Sequence, residues 1–461
     1  MKRSIHSSIC RMSQQIHQST DSSLPHKRHK PGSPATCISY NSPLGCCYNQ
    51  SCRHKHEYDG DVIATCKTIN FAHDDHSLVS RFKVSLIGTY CVLHSNDSTQ
   101  SYHNTIQYYA TQLTIPGIPP RLGIPQLDTQ FNETNDYVNE TINSLLPILM
   151  TIKYNNHSLS KYNFVTYRNS LNYIVNDNDQ YRIHIQRIGN TIFLLPCKSH
   201  KQHIYQSYNR GAAGYRFESI CKQNNNNNTD RDSEYCHVNE VHIGEHKLAV
   251  AAEIDGVMNE SIQHLTPFTR TNHQQSTPNT HNPSTGDSIN NNVTSNTSSI
   301  DPYYIELKTN ASGRPWNKQR FNQVLTQSYL ADIPYVLLAN LTSQPQQSTS
   351  KPSLRTMTVN SLQYIDVKHE MNEYEQSSRL QQANYILQFI SNNTQSDHIY
   401  RLHRINNNGN IVYELAEFNH NTDQYRFIQQ CDLIDVQRWR DRIWNRQKPT
   451  QTVEPNRSIN Q

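Results

Sequence analysis

No stretch of this 461-residue chain is apolar for long enough to cross a bilayer, and its first thirty residues lack the apolar run of a secretory leader. Eleven cysteines over that length are too sparse for a small disulfide-stapled fold. These absences exclude a membrane-spanning class and a secreted disulfide scaffold, and the expected setting is an intracellular, reducing compartment. The many Asn-x-Ser/Thr sequons then read as by-products of an Asn-rich composition. Net charge is scarce as well: 42 Lys and Arg against 38 Asp and Glu leave +4. So small an excess argues neither for nor against a nucleic-acid partner, because phosphate binding depends on local clusters of charge.

What is present begins with a polar, basic leader, expected to be disordered over 1–33. Its His26-Lys27-Arg28-His29-Lys30 run reads either as a nuclear-import patch or as a solvated tail. Cys37, Cys46, Cys52 and His56 follow at the spacing C-x8-C-x5-C-x3-H, so three thiolates and an imidazole supply the four ligands of a closed tetrahedral Zn²⁺ site. A segment this poor in apolar residues needs the ion to fold. The spacing resembles the CCCH zinc fingers and sets a finger at 34–60. Tyr40 and Tyr48 would stack bases, and Arg53, His54 and Lys55 would meet phosphates. A purely structural zinc knuckle is the other reading.

Farther along stand three acidic signatures: Gly214-Tyr215-Arg216-Phe217-Glu218, Glu253-Ile254-Asp255 and Glu306-Leu307-Lys308. Apolar or aromatic runs, Leu248–Ala252 and Tyr303–Ile305, lead into the last two and mark them as strand ends. Strand alternation puts Glu253 with Asp255, and Glu306 with Lys308, on one face, while Ile254 and Leu307 point oppositely into apolar packing. Carboxylates forced together take up protons unless a cation neutralises them, and oxygen ligands without nearby Cys or His favour Mg²⁺ or Mn²⁺, as one ion or two. Such ions activate water and offset the charge on a phosphate in transit, while a neighbouring lysine holds the nucleophile or the phosphate. That outlines phosphodiester hydrolysis. A single E-x-D or E-x-K is most often a solvated strand face, and only the ordered set points to a site.

Taken with Thr166-Tyr167-Arg168-Asn169-Ser170-Leu171 and the segment Arg320–Leu330 that carries Gln327, these motifs resemble, in order, those of the DXO-type decapping nucleases. The resemblance implies an α/β (α+β) fold of mixed β-sheets flanked by helices, similar to the PD-(D/E)xK nuclease core. It implies Glu218, Glu253, Asp255 and Glu306 as ligands of a catalytic Mg²⁺ or Mn²⁺ pair. Lys308 and Gln327 would position the nucleophile and the scissile phosphate, and Arg168 would hold a neighbouring phosphate as a planar fork. The implied substrates are RNAs with a capped, NAD-capped, triphosphate or monophosphate 5′ end. The implied reactions are removal of incomplete or non-canonical caps, release of pyrophosphate, and 5′-to-3′ degradation afterwards. A nuclear 5′-3′ exoribonuclease is the implied partner, and the nucleus, with the cytoplasm second, the implied location. The finger departs from that family's pattern. Rival readings are a DNA nuclease on the same core, a non-catalytic partner of an exoribonuclease, and an RNA-binding protein driven by the finger.

The rest of the chain reads coarsely. A globular catalytic domain spans 81–445, with polar insertions at 222–234 and 269–300 and a disordered tail at 446–461. A strand is expected from Phe82, an extended proline-rich loop over Ile115–Pro125, and a helix over Val138–Ile152 bent near Pro147. Hairpins are expected about Gly189-Asn190 and Asn408-Gly409. The run from Glu306 to Ala339 is expected to form a βαβ unit, and Glu373–Ile390 a further helix.

Overall fold

The computed structural model of the chain describes residues 61–67, 77–93, 113–132, 144–175, 181–196, 212–223, 233–258, 265–267, 303–310, 316, 318–344, 356–371, 373–407, 410–417, 433, 436–438 and 440–441. Within them the chain forms β1 (Asp61–Lys67), α1 (Ser77–Arg81), β2 (Lys83–Leu93), β3 (Leu113–Thr114), β4 (Gln130–Asn132) and α2 (Leu146–Tyr154). It continues through β5 (Phe164–Tyr167), α3 (Arg168–Val175), β6 (Arg182–Ile188), β7 (Thr191–Pro196) and α4 (Ala212–Gln223). Then come β8 (Ser233–Ile243), β9 (His246–Glu253), β10 (Gly256–Met258), β11 (Thr266–Pro267), β12 (Tyr303–Asn310), α5 (Lys318–Leu330) and β13 (Tyr335–Gln344). The last elements are β14 (Thr356–Asp366), α6 (Val367–Glu370), α7 (Glu373–Asn393), β15 (Ile399–Asn407) and β16 (Asn410–Glu417).

Two mixed sheets result, one ordered β1-β16-β15-β6-β7-β5-β9-β8-β2-β3 and one ordered β10-β12-β13-β14-β11, with β4 added on β14. The expected class, mixed sheets flanked by helices, is the observed one. At the middle of the larger sheet β5 runs parallel to both β7 and β9. Phe164, Val165 and Thr166 are buried, as a strand covered on both faces requires. Leu146, Leu149 and Ile152 of α2 pack on one face of this sheet, against Val165, Phe193, Val238 and Ala251. Leu171 and Ile174 of α3 and Leu380, Ile386 and Ile390 of α7 pack on the other, against Phe164, Leu194 and Val250.

The smaller sheet lies between two helices. Phe217 and Cys221 of α4 meet Ile305, Leu307, Leu337 and Ala339. Phe321, Val324 and Leu325 of α5 meet Val336 and Leu338. The alternation along β13 between the two clusters is the period of two expected of a strand buried on both sides. β12, α5 and β13 form the expected βαβ unit, with β12 and β13 parallel and Glu306 opposite Val336.

Both hairpins form, and Gly189 takes φ +58° in the turn between β6 and β7, where a Cβ would be strained. The helix around Pro147 differs from expectation: over the described residues it starts at Leu146, and the proline sits in its first turn. Proline's missing N–H would have no intrahelical partner there, so it opens the helix and bends nothing. Strand β1 lies ahead of Arg81 and pairs with β16 at the sheet edge. Two long strands, β8 and β14, have no counterpart in the sequence reading. The finger, the 269–300 insertion, both termini and positions 224–232 of the 222–234 insertion lie outside the described residues; the ends of the latter belong to regular elements, 222–223 to α4 and 233–234 to β8. Among the described residues no helix is long and apolar enough to cross a membrane.

Candidate active site

The chain leaves the larger sheet at Glu253, the last residue of β9, and enters the smaller one at Gly256, the first of β10. Glu253-Ile254-Asp255 is therefore the passage between the sheets. Ile254 anchors it: its side chain is buried among Cys91, Tyr235, Ala252, Ala331 and Ile333, and its N–H donates to the Tyr235 carbonyl at 2.9 Å. Gly256 is required by close approach, since a Cβ there would lie 2.6 Å from the Pro120 carbonyl oxygen and from Leu122. With Ile254 pointing inward, Glu253 and Asp255 face the cleft side, both half-buried. The Leu307 N–H of β12 donates to Asp255 Oδ2 at 2.5 Å, tying the passage to the strand that carries Glu306.

Glu306 is buried and held by three side chains from three elements. Arg168, the first residue of α3, grips it as a fork, Nη1 to Oε2 at 3.0 Å and Nη2 to Oε1 at 3.3 Å. Lys308, two residues along β12, donates to Oε1 at 2.5 Å and to the Leu307 carbonyl at 3.1 Å. Gln327 of α5 donates Nε2 to the same Oε1 at 3.1 Å. A guanidinium at a helix N-terminus opposes the helix dipole, and Glu306 offsets that cost for Arg168. Burial pushes the Glu306 carboxyl up, but Arg168 and Lys308 outweigh it and bring its pKa to about 2. The four residues Arg168, Glu306, Lys308 and Gln327 thus form one cluster.

Glu218 lies on α4 and accepts from Lys222, one turn on, at 2.5 Å. Burial, then Glu234, Glu218 and Asp255, push the Glu253 carboxyl well above its ordinary range, and Lys222 opposes them. Asp255 is raised to about 7 by burial and by Glu306 and Glu218, against Lys308 and the Leu307 N–H. The expected site residues are thus linked in sequence: Gln327, Lys308 and Arg168 to Glu306, Glu306 and Lys308 to Asp255, and Asp255 and Glu218 to Glu253. A cleft opens beside Arg168 and Glu253, lined also by Tyr90, Tyr167 and Glu234.

The sequence reading makes Lys222 and Glu234 the two ends of a polar insertion and gives neither a role at the site. The first has a signal, the i, i+4 spacing Glu218/Lys222, visible once the segment is known to be helical. Glu234 has none, since only the pairing of β8 with β9 brings it near Glu253.

Among the described residues no three Asp, Glu, His or Cys side chains are gathered closely enough to hold a metal ion. The donor set nonetheless suits a hard divalent cation in kind: it is all carboxylate, and Glu253 and Asp255 are pushed toward neutrality by burial and mutual repulsion. Glu218 and Glu306 are turned instead to their lysines.

A family model described as RAI1-like PD-(D/E)XK nuclease matches residues 84–431. The chain belongs to this family. As an RAI1-like nuclease it is similar in structure to Candida albicans Rai1 in complex with pU5 and Mn²⁺, at 14% identity, covering 78% of this chain and 96% of that one, TM-score 0.48. It is also similar to Scheffersomyces stipitis Rai1 in complex with (3′-NADP)⁺ and calcium, at 13% identity over 78% and 97% of the two chains, TM-score 0.47. For K. lactis Dxo1 in complex with manganese the identity is 12% over 80% and 97%, TM-score 0.42. No curated protein matches the chain. Cys37, Cys46, Cys52 and His56 lie outside both the matched span and the described residues.

Proposed function

We propose that this RAI1-like chain is a divalent-metal-dependent hydrolase of RNA 5′ ends. It would remove incomplete or non-canonical caps, NAD caps included, and 5′ pyrophosphate, with 5′-to-3′ exoribonuclease action on the exposed end. The observation that carries this reading is the buried Glu306 held by Arg168, Lys308 and Gln327, with Asp255 tied to the same strand by the Leu307 N–H, so that acidic, ammonium and amide groups of four sequence motifs meet at one place. Membership of the nuclease family supports the reaction class.

Glu253 and Asp255, with Glu218 and Glu306, are the residues that would hold Mg²⁺ or Mn²⁺. A bound ion supplies Lewis acidity and a water of lowered pKa. Lys308 and Gln327 both reach Glu306 Oε1, so a phosphate oxygen or water arriving there meets an ammonium and an amide donor already in place. Arg168 keeps Glu306 ionised and fixed, and its guanidinium lines the same cleft where a second phosphate would lie. Ile254, locked in its apolar cluster, fixes the direction of the two carboxylates beside it.

The test is end-product analysis with Mg²⁺ or Mn²⁺ on RNAs bearing a monophosphate, a triphosphate, an unmethylated cap or an NAD cap. Released cap fragments, pyrophosphate or mononucleotides are expected. Four intact RNAs that the protein still binds would replace the enzyme reading with a non-catalytic RNA-binding or exoribonuclease-stabilising role. Co-purification with a nuclear 5′-3′ exoribonuclease tests the partner and the nuclear location, both of which rest on the family resemblance. A zinc assay on residues 34–60 tests the finger.

A further inference from the structure

Arg168 is accounted for by Glu306, but the residue that follows it is not. Asn169 stands in the first turn of α3, is exposed, and lines the cleft beside Arg168 and Glu253. Other polar groups of that lining are engaged within the protein. The Tyr167 hydroxyl donates to the Ser144 carbonyl at 2.7 Å, Arg168 gives both terminal nitrogens to Glu306, and Cys236 is hydrogen-bonded to Tyr90. Asn169 has no hydrogen-bond partner among the described residues, so its carboxamide is left to meet a ligand. The cleft crosses neighbouring strands, from Tyr167 at the end of β5, past Ala251–Glu253 of β9 and Glu234 and Cys236 of β8, to Tyr90 and Val92 of β2. Asn169 is thus at its Arg168 end.

Resting on the reading that Arg168 faces a phosphate of the RNA, we propose that Asn169 reads the ribose of the same nucleotide through its 2′-hydroxyl. This contact makes the cleft choose RNA over DNA. A carboxamide carries no charge to attract a phosphate, whereas a hydroxyl both gives and takes a hydrogen bond, as the amide does. Within a nucleotide the sugar is joined directly to the phosphate. A side chain one residue along from the phosphate's guanidinium therefore meets the sugar before the base. The 2′-hydroxyl is the group by which a protein tells RNA from DNA at a given site. The base, farther from the phosphate, then extends across the strands toward Val92 and Tyr90.

Hydrolysis by the full chain tests this on two matched oligonucleotides, one all-ribose and one with its first two nucleotides 2′-deoxy, both bearing whichever of the four 5′ ends is cleaved fastest. The wild type is expected to lose about tenfold in kcat/KM on the deoxy substrate, as befits one neutral hydrogen bond. Asn169→Ala is expected to be about tenfold slower than wild type on the all-ribose RNA and equal to it on the deoxy one, so that its preference is gone. A variant that keeps the wild-type preference overturns the proposal, and so does a wild type that has none. A variant slowed on both substrates alike overturns it too, and would make Asn169 a base contact or a prop for α3. If the wild type hydrolyses neither, the hydrolase reading falls by itself, and binding of the same two oligonucleotides with a 5′ monophosphate decides the proposal. A wild-type preference for ribose that Asn169→Ala lacks then supports it, and equal binding by the wild type overturns it. Should Asn169→Ala fail to fold, Asn169→Ser, favoured at a helix start and too short to reach the sugar, takes its place with the same expected loss of preference.

Discussion

The two halves of the site hold carboxylates in opposite states. On the β12 side Glu306 is buried deeper than its neighbours yet stays ionised, because a guanidinium fork, an ammonium and an amide meet it within 3.3 Å. At the inter-sheet passage Glu253 and Asp255 are less buried, yet both are driven upward, Glu253 by burial and by Glu234, Glu218 and Asp255, and Asp255 to about 7 by burial and by Glu306 and Glu218. Depth of burial therefore does not decide ionisation here. The balance of neighbouring charge decides it: two cations meet Glu306 directly, whereas Lys222 on Glu253 and Lys308 on Asp255 are outweighed by burial and the surrounding carboxylates. The under-compensated half is where an added cation gains most.

The contrast can be broken most severely from the satisfied side. Arg168→Met leaves Glu306, with side-chain exposure of 3%, to Lys308 and Gln327 alone and removes both bonds to the guanidinium, and should cost about 3 kcal/mol in urea unfolding. Adding Glu306→Gln should recover much of that loss, and an Arg168→Met protein of unchanged stability would remove the basis of the contrast.

On the other side, Glu253→Ala with Asp255→Ala should lower RNA 5′-end hydrolysis by at least about 100-fold while the far-UV spectrum and cooperative melt persist. Full activity in the folded double variant would detach these carboxylates from the chemistry.

A smaller effect is read from pH. Buried His184 is held down to about 3 by burial and by Arg401 and Arg182, and His237 to about 4 by burial, both from 6.5. Each binds its proton more readily unfolded, so the stability it contributes is complete above pH 6.5 and is lost as pH falls through those values. Glu253 and Asp255 run the other way, losing stability as pH rises. With both replaced by amides, stability should therefore fall from pH 6 to pH 5 by about 1.4 kcal/mol per histidine, more steeply than in the wild type. A slope no steeper than the wild type's would contradict the opposed signs.

Smallest of all, Glu253→Gln alone should stabilise the metal-free protein by about 1 kcal/mol, and more at pH 8.5 than at pH 6, because the carboxylate it replaces is increasingly charged there. Urea midpoints at the two pH values check it, and a gain that shrinks with rising pH would refute it.

Much of the site was legible before the fold. Alternation places Glu306 beside Lys308, and the apolar face of Arg320–Leu330 sets Gln327 at its border; both are local consequences of a strand and a helix. Strands β8 and β14 were not legible. In β8, Glu240, Asn239 and His237 interrupt the apolar pattern, and the first two are satisfied by distant or cross-strand partners. Asn239 donates to the Ala331 carbonyl at 3.2 Å, and Glu240 meets Lys247 and Lys161. A pattern search sees those residues as surface, because their partners are not in the window. The same limit hid Glu234, brought to Glu253 only by strand pairing.

The sequence alone determined the order of the motifs, the alternation within each, the βαβ unit and the oxygen-only character of the donor set. These follow from side-chain periodicity and ligand chemistry, which act over a few residues. Tertiary structure alone decided that Glu253-Ile254-Asp255 bridges two sheets, that Arg168 closes on Glu306 across 138 positions, and that Asp255 accepts from the Leu307 N–H of β12. Charge interactions depend on distance through space, and the distances between residues far apart in the chain exist only once the sheets have formed.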